Sequence, residues 1–233
     1  MRRETVAIAP IADHYPPVSG RGLFVTLEGI EGCGKSTQAR LLADSLRDCD
    51  GRDVVLTREP GGTDVTQRIR SLLADPASHL DPRCELLLFL ADRAQHVATV
   101  IRPALDRGAV VVCDRYSDST LAYQGYARGH SLDLLRDLNE WASYGLRPDV
   151  TFWLDCDVKV GLTRANKRSG GPGDRFEKEP LAFHERVRAG FAELAAADPQ
   201  RFVHVDGTRP KDVVSVEIRT ATLARLSQRR ATS

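Results

Sequence analysis

Gly29-Ile30-Glu31-Gly32-Cys33-Gly34-Lys35-Ser36 matches the phosphate-binding loop pattern G-x-x-x-x-G-K-[ST] at every fixed position. The flanks fit as well, because residues 23–27 predict a buried strand and residues 37–47 have the apolar spacing of a helix. Glycines let backbone N–H groups turn toward phosphate oxygens, and the N-terminus of the following helix adds partial positive charge. The stretch therefore predicts a nucleoside triphosphate site; the alternative is a glycine-rich turn that binds nothing.

Two side chains of this loop have expected tasks of their own. Lys35 should reach the β- and γ-phosphates, and the Ser36 hydroxyl should coordinate Mg²⁺. The predicted triphosphate-binding residues in the loop are Gly29, Ile30, Glu31, Gly32, Cys33, Gly34, Lys35, Ser36 and Thr37.

Length and composition are those of an ordinary globular protein. The chain has 233 residues, 42% of them hydrophobic, and a formal net charge of +1. This charge argues against a general nucleic-acid binder, and no apolar run approaches the roughly eighteen residues that a membrane-spanning helix needs. Prolines interrupt residues 1–21, which we expect to be a flexible N-terminal extension, so that residues 22–233 form a single domain. Five scattered cysteines predict reduced thiols and a cytoplasmic protein.

Strand and helix patterns alternate along the chain after residue 22. This alternation predicts an α/β protein in three layers, with a five-stranded parallel sheet flanked by helices and ligands at the carboxyl ends of the strands. The further strands are expected at residues 53–57, 109–113, 150–155 and 201–205. The further helices are expected at residues 64–73, 82–107, 132–144, 158–168 and 180–197.

Polar residues follow these predicted strands. Arg58 ends the second strand, and Asp114 and Arg115 follow the third. Two arginines at neighbouring strand ends suit phosphate oxygens, because a guanidinium group binds such oxygens with two parallel hydrogen bonds. Asp114 is placed where phosphate-loop enzymes hold the acid that organises Mg²⁺. The alternatives are surface ion pairs for the arginines and a turn cap for the aspartate.

A basic, glycine-rich segment follows the fourth strand. Residues 164–177 contain Arg164, Lys167, Arg168 and Arg175 around the loop 169–173. Such a segment suits a short lid that closes over phosphates and excludes water. The alternative is a solvated surface loop.

Taken together, the motifs resemble those of the thymidylate kinase family. They are Thr57-Arg58-Glu59-Pro60-Gly61-Gly62-Thr63, Leu87-Leu88-Phe89-Leu90-Ala91-Asp92-Arg93, Asp114-Arg115-Tyr116 with Ser119-Thr120-Leu121-Ala122-Tyr123-Gln124-Gly125, and Asp174-Arg175-Phe176-Glu177. They follow the phosphate loop in family order, and the resemblance covers residues 23 to about 207. The phosphate loop occurs in many families. The R-E-P-G-G motif at residues 58–62 and the D-R-x-x-x-S-x-x-A-Y-Q-G motif at residues 114–125 are specific to far fewer.

The resemblance implies phosphorylation of dTMP to dTDP by ATP with Mg²⁺, in a homodimer whose contact includes the helix at residues 82–107. It assigns the acceptor phosphate to Arg58 and Arg115, the sugar 3′-hydroxyl to Glu31, stacking on thymine to Phe89 and a thymine carbonyl to Arg93. Ser119 and Thr120 match positions near the base edge, Tyr123 matches the ring that disfavours ribose, and Gln124 lies beside it. From the residues alone, Phe89 could equally be helix core.

The phosphate loop carries Glu31-Gly32-Cys33 where some family members place an arginine. The resemblance is therefore to the bacterial-type arrangement, in which lid cations supply the missing charge. We assign the catalytic lid cation to Arg168, with Lys167 and Arg175 as alternatives, and an ATP contact to Arg164.

The sequence is also compatible with two other functions. One is a phosphate-loop kinase for another nucleotide or a nucleoside. The other is a guanine-nucleotide switch, for which the nearest match to N-K-x-D is Asn166-Lys167-Arg168-Ser169, without the acid.

Overall fold

A computed structural model describes residues 22–169 and 174–231 of the chain. In this part, five parallel strands form one sheet in the order β2-β3-β1-β4-β5, which confirms the predicted fold class. The strands are β1 (Leu23–Glu28), β2 (Val54–Arg58), β3 (Val110–Asp114), β4 (Val150–Asp155) and β5 (Phe202–Asp206). The N-terminal extension at residues 1–21 and the lid loop at 170–173 lie outside the described residues.

Helices cover both faces of the sheet. They are α1 (Lys35–Asp50), α2 (Asp64–Ala74), α3 (Pro82–His96), α4 (Arg102–Asp106), α5 (Ser117–Thr120), α6 (Leu132–Ala142), α7 (Val158–Ser169), α8 (Leu181–Ala197) and α9 (Lys211–Ala231). Two π-helical segments, Val97–Ile101 and Leu121–Ala127, follow α3 and α5 directly. In the described part of the chain, no helix is both long and apolar enough to cross a bilayer.

The central strand β1 is buried along its whole length. Leu23, Val25 and Leu27 pack into one apolar cluster with residues of α1, α8 and α9, while Phe24 packs on the opposite face with Val111 and the segment that follows α3. This alternation is the two-residue period of a strand with both faces covered. The parallel register sets Leu27 and Arg58 beside Asp114, so that the carboxyl ends of β1, β2 and β3 meet.

One expected helix is interrupted. The pattern predicts a single helix over residues 82–107, but the chain passes from α3 through π-helical turns at Val97–Ile101 into α4. Pro103 explains the change, because it has no N–H to donate and its ring would clash with the carbonyl four residues earlier. The chain also forms α5 and the second π-helical segment, which the sequence did not predict.

Candidate active site

The phosphate loop joins β1 to α1 and turns at its glycines. Gly29, Gly32 and Gly34 have φ of 139°, 70° and 103°, values that side-chain-bearing residues rarely adopt. A Cβ added to Gly32 would lie 1.9 Å from the Gly161 carbonyl oxygen, and one added to Gly161 would lie 2.5 Å from the Glu31 carbonyl oxygen. Helix α7 therefore packs backbone to backbone against the loop.

Lys35 lies inside this loop and is 6% exposed. Its Nζ donates to the Ile30 carbonyl oxygen at 2.6 Å and contacts Cys33 Sγ at 3.4 Å. The ammonium group is thus held over the concave backbone, where the sequence expects it to meet phosphate oxygens.

Ser36 and Asp114 face each other at the start of α1 and the end of β3. The Ser36 hydroxyl donates to Asp114 Oδ2, and Asp114 Oδ1 is buried without a hydrogen-bond partner. Mg²⁺ prefers oxygen ligands, and both side chains offer oxygen atoms. The free Asp114 Oδ1 is one such atom. Among the described residues, no cluster of three or more His, Cys, Asp or Glu side chains is suited to hold a metal by itself.

Arg115 connects the phosphate loop to the rest of the site. It donates to the Gly29 carbonyl oxygen at 2.9 Å, to Glu31 Oε1 at 2.9 Å and to Ser119 Oγ at 3.1 Å. Its guanidinium carbon lies 4.9 Å from the centre of the Tyr123 ring. The backbone φ of 72° is left-handed, which is uncommon outside glycine and is found where structure around a functional site enforces it.

Glu31 is a buried carboxylate held by three elements. Oε1 accepts from Tyr123 Oη at 2.6 Å as well as from Arg115, and His184 Nδ1 of α8 lies 3.2 Å from Oε2. Burial alone would raise the pKa of Glu31, but the charge of Arg115, the neighbouring His184 and the charge of Lys35 hold that pKa well below its ordinary value. Glu31 is therefore ionised at neutral pH.

Arg93 is fixed at the other end of the site and is 2% exposed. It donates to Glu59 Oε2 and to Thr120 Oγ1, both at 2.9 Å, and to Asn139 Oδ1. Burial would lower the pKa of Arg93, but the nearby Glu59 carboxylate raises it above the ordinary value, so the guanidinium stays charged. Phe89 lies one helical turn before Arg93, as the spacing predicts.

A cavity of about 380 Å³ connects these groups, a size within the range of small-molecule sites. Most of the predicted site residues line it: Glu31, Gly32, Gly34, Lys35, Ser36, Thr37, Arg58, Phe89, Arg93, Asp114, Arg115, Ser119, Thr120, Tyr123 and Gln124. The cavity wall does not include Gly29, Ile30, Cys33 or Arg164.

The predicted lid cations are placed differently from one another. Arg164 is part of α7 and donates to the Gly207 carbonyl oxygen at 3.0 Å. Arg175 pairs with Glu85, its Nη1 lying 2.6 Å from Oε2. Lys167 is exposed on α7, and the side chain of Arg168 lies outside the described residues.

Sequence reasoning missed several residues of the cavity wall. Arg70 of α2 lines the cavity and donates to the Pro60 carbonyl oxygen at 3.0 Å; burial, followed by the charge of Arg58, lowers its pKa. Asp174, Phe176 and Glu177 also line it. They belong to residues 174–179, here called the strap. The sequence shows the motif at the start of the strap but does not show that these side chains contact the cavity. No periodicity in the sequence singles out Arg70.

Asp92, at the edge of this site, is a carboxyl group whose pKa is changed by burial. Its Oδ1 accepts from the Gly61 N–H at 2.8 Å, and burial, followed by the charge of Glu59, raises the pKa of Asp92 from 3.8 to about 7. A carboxyl whose folded-state pKa is raised contributes most stability below its unfolded pKa, and that contribution is lost as the pH rises through the folded pKa.

We therefore expect the change in melting temperature caused by Asp92→Asn to become more favourable between pH 4 and pH 8. Thermal melts across this range measure it, with Asp133→Asn as the control because the Asp133 side chain is 91% exposed. A change that is the same at both pH values would contradict the raised pKa.

The fold and the site define a class of protein. A phosphate loop after the central strand, a hydroxyl–carboxylate pair beside it and an arginine-lined cavity at the carboxyl ends of the strands are typical of phosphate-loop phosphotransferases that act on small nucleotides.

The comparisons with known proteins narrow this class to one family. The family model for thymidylate kinase matches residues 27–218, and the chain belongs to that family. A thymidylate kinase of Desulfovibrio desulfuricans is 52% identical over 213 residues, covering 89% of this chain and 98% of the relative. One of Deinococcus radiodurans is 52% identical over 198 residues, covering 85% and 95%. The crystal structure of the Ehrlichia chaffeensis thymidylate kinase superposes with a TM-score of 0.71 at 37% identity, covering 86% of this chain and 98% of that one.

Proposed function

We propose that this chain transfers the γ-phosphoryl group of ATP to dTMP and forms dTDP. The observation that carries the proposal is one continuous cavity with the phosphate loop at one end, Phe89 and Arg93 at the other, and the Glu31–Arg115 ion pair between them. This arrangement supports in-line transfer, because both nucleotides would meet at the carboxyl ends of β1 and β3.

At the donor end, the loop backbone and Lys35 would bind the β- and γ-phosphates. Ser36 and Asp114 would hold Mg²⁺, which supplies positive charge to the transferring phosphoryl group when bound. We assign to Arg168 the role of a further positive charge on the transferring phosphoryl group, and to Arg164 a contact with ATP. Both residues belong to the lid, near residues 164–177. The lid is part of a single domain that spans residues 22–233. Single-turnover rates of the Arg168→Ala and Arg164→Ala variants test this assignment.

At the acceptor end, Arg58 and Arg115 would bind the phosphate of dTMP, with Arg70 beside them. Glu31 is ionised, and its carboxylate would accept a hydrogen bond from the 3′-hydroxyl of the sugar. Phe89 would stack on thymine, Arg93 would donate to a thymine carbonyl, and Ser119, Thr120 and Gln124 would line the base edge. The acceptor phosphate is largely ionised at pH 7, so the reaction needs no general base.

A coupled assay with ATP and dTMP, dUMP, dCMP, dGMP or the nucleoside thymidine tests the proposal. We expect the highest kcat/KM for dTMP, and no turnover with thymidine because it brings no acceptor phosphate. Faster turnover of thymidine or of another monophosphate would replace the proposal with a different kinase of the same fold.

The Phe89→Ala variant should bind dTMP about 1–3 kcal/mol more weakly while binding ATP almost unchanged, because the lost stacking concerns only the acceptor base. Calorimetry with each nucleotide measures this, and Val216→Ala serves as a control because Val216 is 66% exposed on α9. Equal losses for both ligands, together with a large fall in melting temperature, would instead make Phe89 a core residue.

Tyr123 has two separable parts, a ring and a hydroxyl. Tyr123→Ala should relax discrimination against the ribonucleotide, because the ring is expected to fill the space of a 2′-hydroxyl. Tyr123→Phe should preserve discrimination but lower kcat/KM by about tenfold, because the hydroxyl donates to the charged Glu31. The ratio of kcat/KM for dTMP over ribothymidine monophosphate decides; an unchanged ratio in the alanine variant would rule out the steric role.

We also propose a homodimer and a cytoplasmic location. Leu87 on α3 and Trp141 on α6 are 60% and 70% exposed, and these two helices pack side by side. Large exposed apolar side chains on adjacent helices are typical of protein contacts. Sedimentation of the wild type and of Leu87→Arg tests the dimer, and the buried free thiols of Cys33, Cys113 and Cys156 support a reducing compartment.

A further inference from the structure

Glu85 is a buried carboxylate on α3 that accepts a hydrogen bond from Gln124, a residue that lines the base end of the cavity. It is 1% exposed on α3, where Glu85, Phe89 and Arg93 recur at four-residue intervals and so share one face of the helix. Burying an ionised carboxylate is costly unless it is paired and hydrogen-bonded. The partners of Glu85 therefore indicate what this charge does.

Those partners come from two other parts of the chain. Oε1 accepts from Gln124 Nε2 at 2.9 Å and from Arg128 Nε at 3.3 Å. Oε2 accepts from Arg128 Nη2 at 3.2 Å and lies 2.6 Å from Arg175 Nη1. One carboxylate thus joins α3, the Gln124 that lines the base end, and the strap.

Arg175 is anchored to the end of α2 as well as to Glu85. Its backbone N–H donates to the Ala74 carbonyl oxygen and its Nε to the Leu73 carbonyl oxygen, both at 3.0 Å. Its guanidinium carbon lies 4.7 Å from the centre of the Phe176 ring. Fixing Arg175 therefore fixes the position of the next residue, Phe176.

Phe176 in turn closes the base end of the cavity. Its ring centre lies 5.9 Å from that of Phe89 and 6.0 Å from that of Tyr123, so three aromatic rings surround this end. The strap follows directly after residues 170–173 and has a further ion pair, Glu179 with Arg128 at 2.6 Å. Glu179 is 20% exposed, and its carboxylate pairs with Arg128 rather than with Gln124 and Arg175, the other partners of the buried Glu85.

We propose that Glu85 is a positioning residue: it latches the strap against α3 and holds Gln124 and Phe176 around the acceptor base. The latch sets affinity for the pyrimidine nucleotide and leaves the donor end untouched. This inference rests on the proposed function only for the identity of the acceptor. The latch itself is a property of the chain.

The first test needs no nucleotide. Glu85→Gln keeps the shape of the side chain but leaves Arg128 and Arg175 without their shared negative charge. We expect limited trypsin digestion to cleave faster after Arg175 and Lys178 in this variant. Asp133→Asn is the control, because the Asp133 carboxylate is 91% exposed and lies outside the strap, so cleavage at these two sites should stay near the wild-type rate.

The second test is kinetic. Glu85→Gln should raise KM for dTMP about tenfold or more and change KM for ATP less than twofold, since a charge-assisted contact is lost only at the acceptor end. Arg175→Gln should raise KM for dTMP in the same way. Arg175→Gln serves as the second variant if Glu85→Gln does not fold. In Arg175→Gln, the buried Glu85 still has Arg128 as a charged partner, so the protein is expected to fold.

Three results would overturn the latch: unchanged tryptic cleavage, faster cleavage with unchanged KM for dTMP, or equal rises in KM for both nucleotides with a fall in melting temperature. If the wild-type enzyme does not phosphorylate dTMP, the proposed function fails instead. The latch is then judged by the cleavage rates and by KM for the acceptor that the substrate panel identifies.

Discussion

Replacing Lys35 with alanine is expected to lower kcat by about 10²–10³-fold while changing the affinity for dTMP only slightly. The estimate follows from the loss of one preorganised positive group where charge develops in the transition state. Lys35 is held for that task by the Ile30 carbonyl oxygen, inside the phosphate loop. Rapid-quench turnover together with dTMP titration separates the two effects.

Lys159→Ala is a suitable control for this experiment, because Lys159 lies exposed on α7. Circular dichroism must show that the Lys35→Ala variant remains folded. A folded variant with near wild-type kcat would mean that the phosphate loop does not bind the transferring phosphates.

Replacing Arg115 with alanine should reduce both stability and activity, and we expect it to be the most damaging arginine substitution in the site. Glu31, 9% exposed, would lose its charged partner. Removing one member of a buried ion pair costs about 3–5 kcal/mol, because the other charge is left unpaired. The Gly29 carbonyl oxygen and Ser119 would lose a donor at the same time.

Urea denaturation measures the stability part of this prediction. A double variant, Arg115→Ala with Glu31→Gln, should recover part of the lost stability, since it removes the unpaired charge, but it should not recover activity. Arg136→Ala provides the control, because its pair with Asp133 is exposed and such pairs contribute about 0.2–1 kcal/mol. Equal losses for Arg115→Ala and Arg136→Ala would contradict the role assigned to the buried pair.

The sequence predicts those parts of the structure that depend on residues close to one another in the chain. Residues 110–113 are an uninterrupted apolar run, and such a run between turn residues predicts a buried parallel strand. The phosphate loop is local too, because its glycines and Lys35 lie within eight residues. These signals place the sheet, the loop and the carboxyl ends where Asp114 and Arg115 emerge.

Contacts between distant segments were not predictable in the same way. Arg93 has partners at Glu59, Thr120 and Asn139, and no spacing rule connects these positions. Arg175 was a candidate lid cation because it lies in a basic stretch, yet its guanidinium pairs with Glu85, ninety residues earlier in the chain. The charge of a residue can be read from a sequence, whereas the partner of that charge is set by the folded chain.

The contact between Gly32 and Gly161 has a consequence for how this enzyme can change. Because it is made by main-chain atoms, no exchange of side chains can tune it, and any residue other than glycine at either position brings a Cβ against a carbonyl oxygen. In a mutant library intended to alter the choice of phosphate donor, we therefore expect glycine to be strongly favoured at these two positions. Variation that alters the donor site is therefore expected at side chains that line the cavity beside the loop, such as Thr37 at the start of α1.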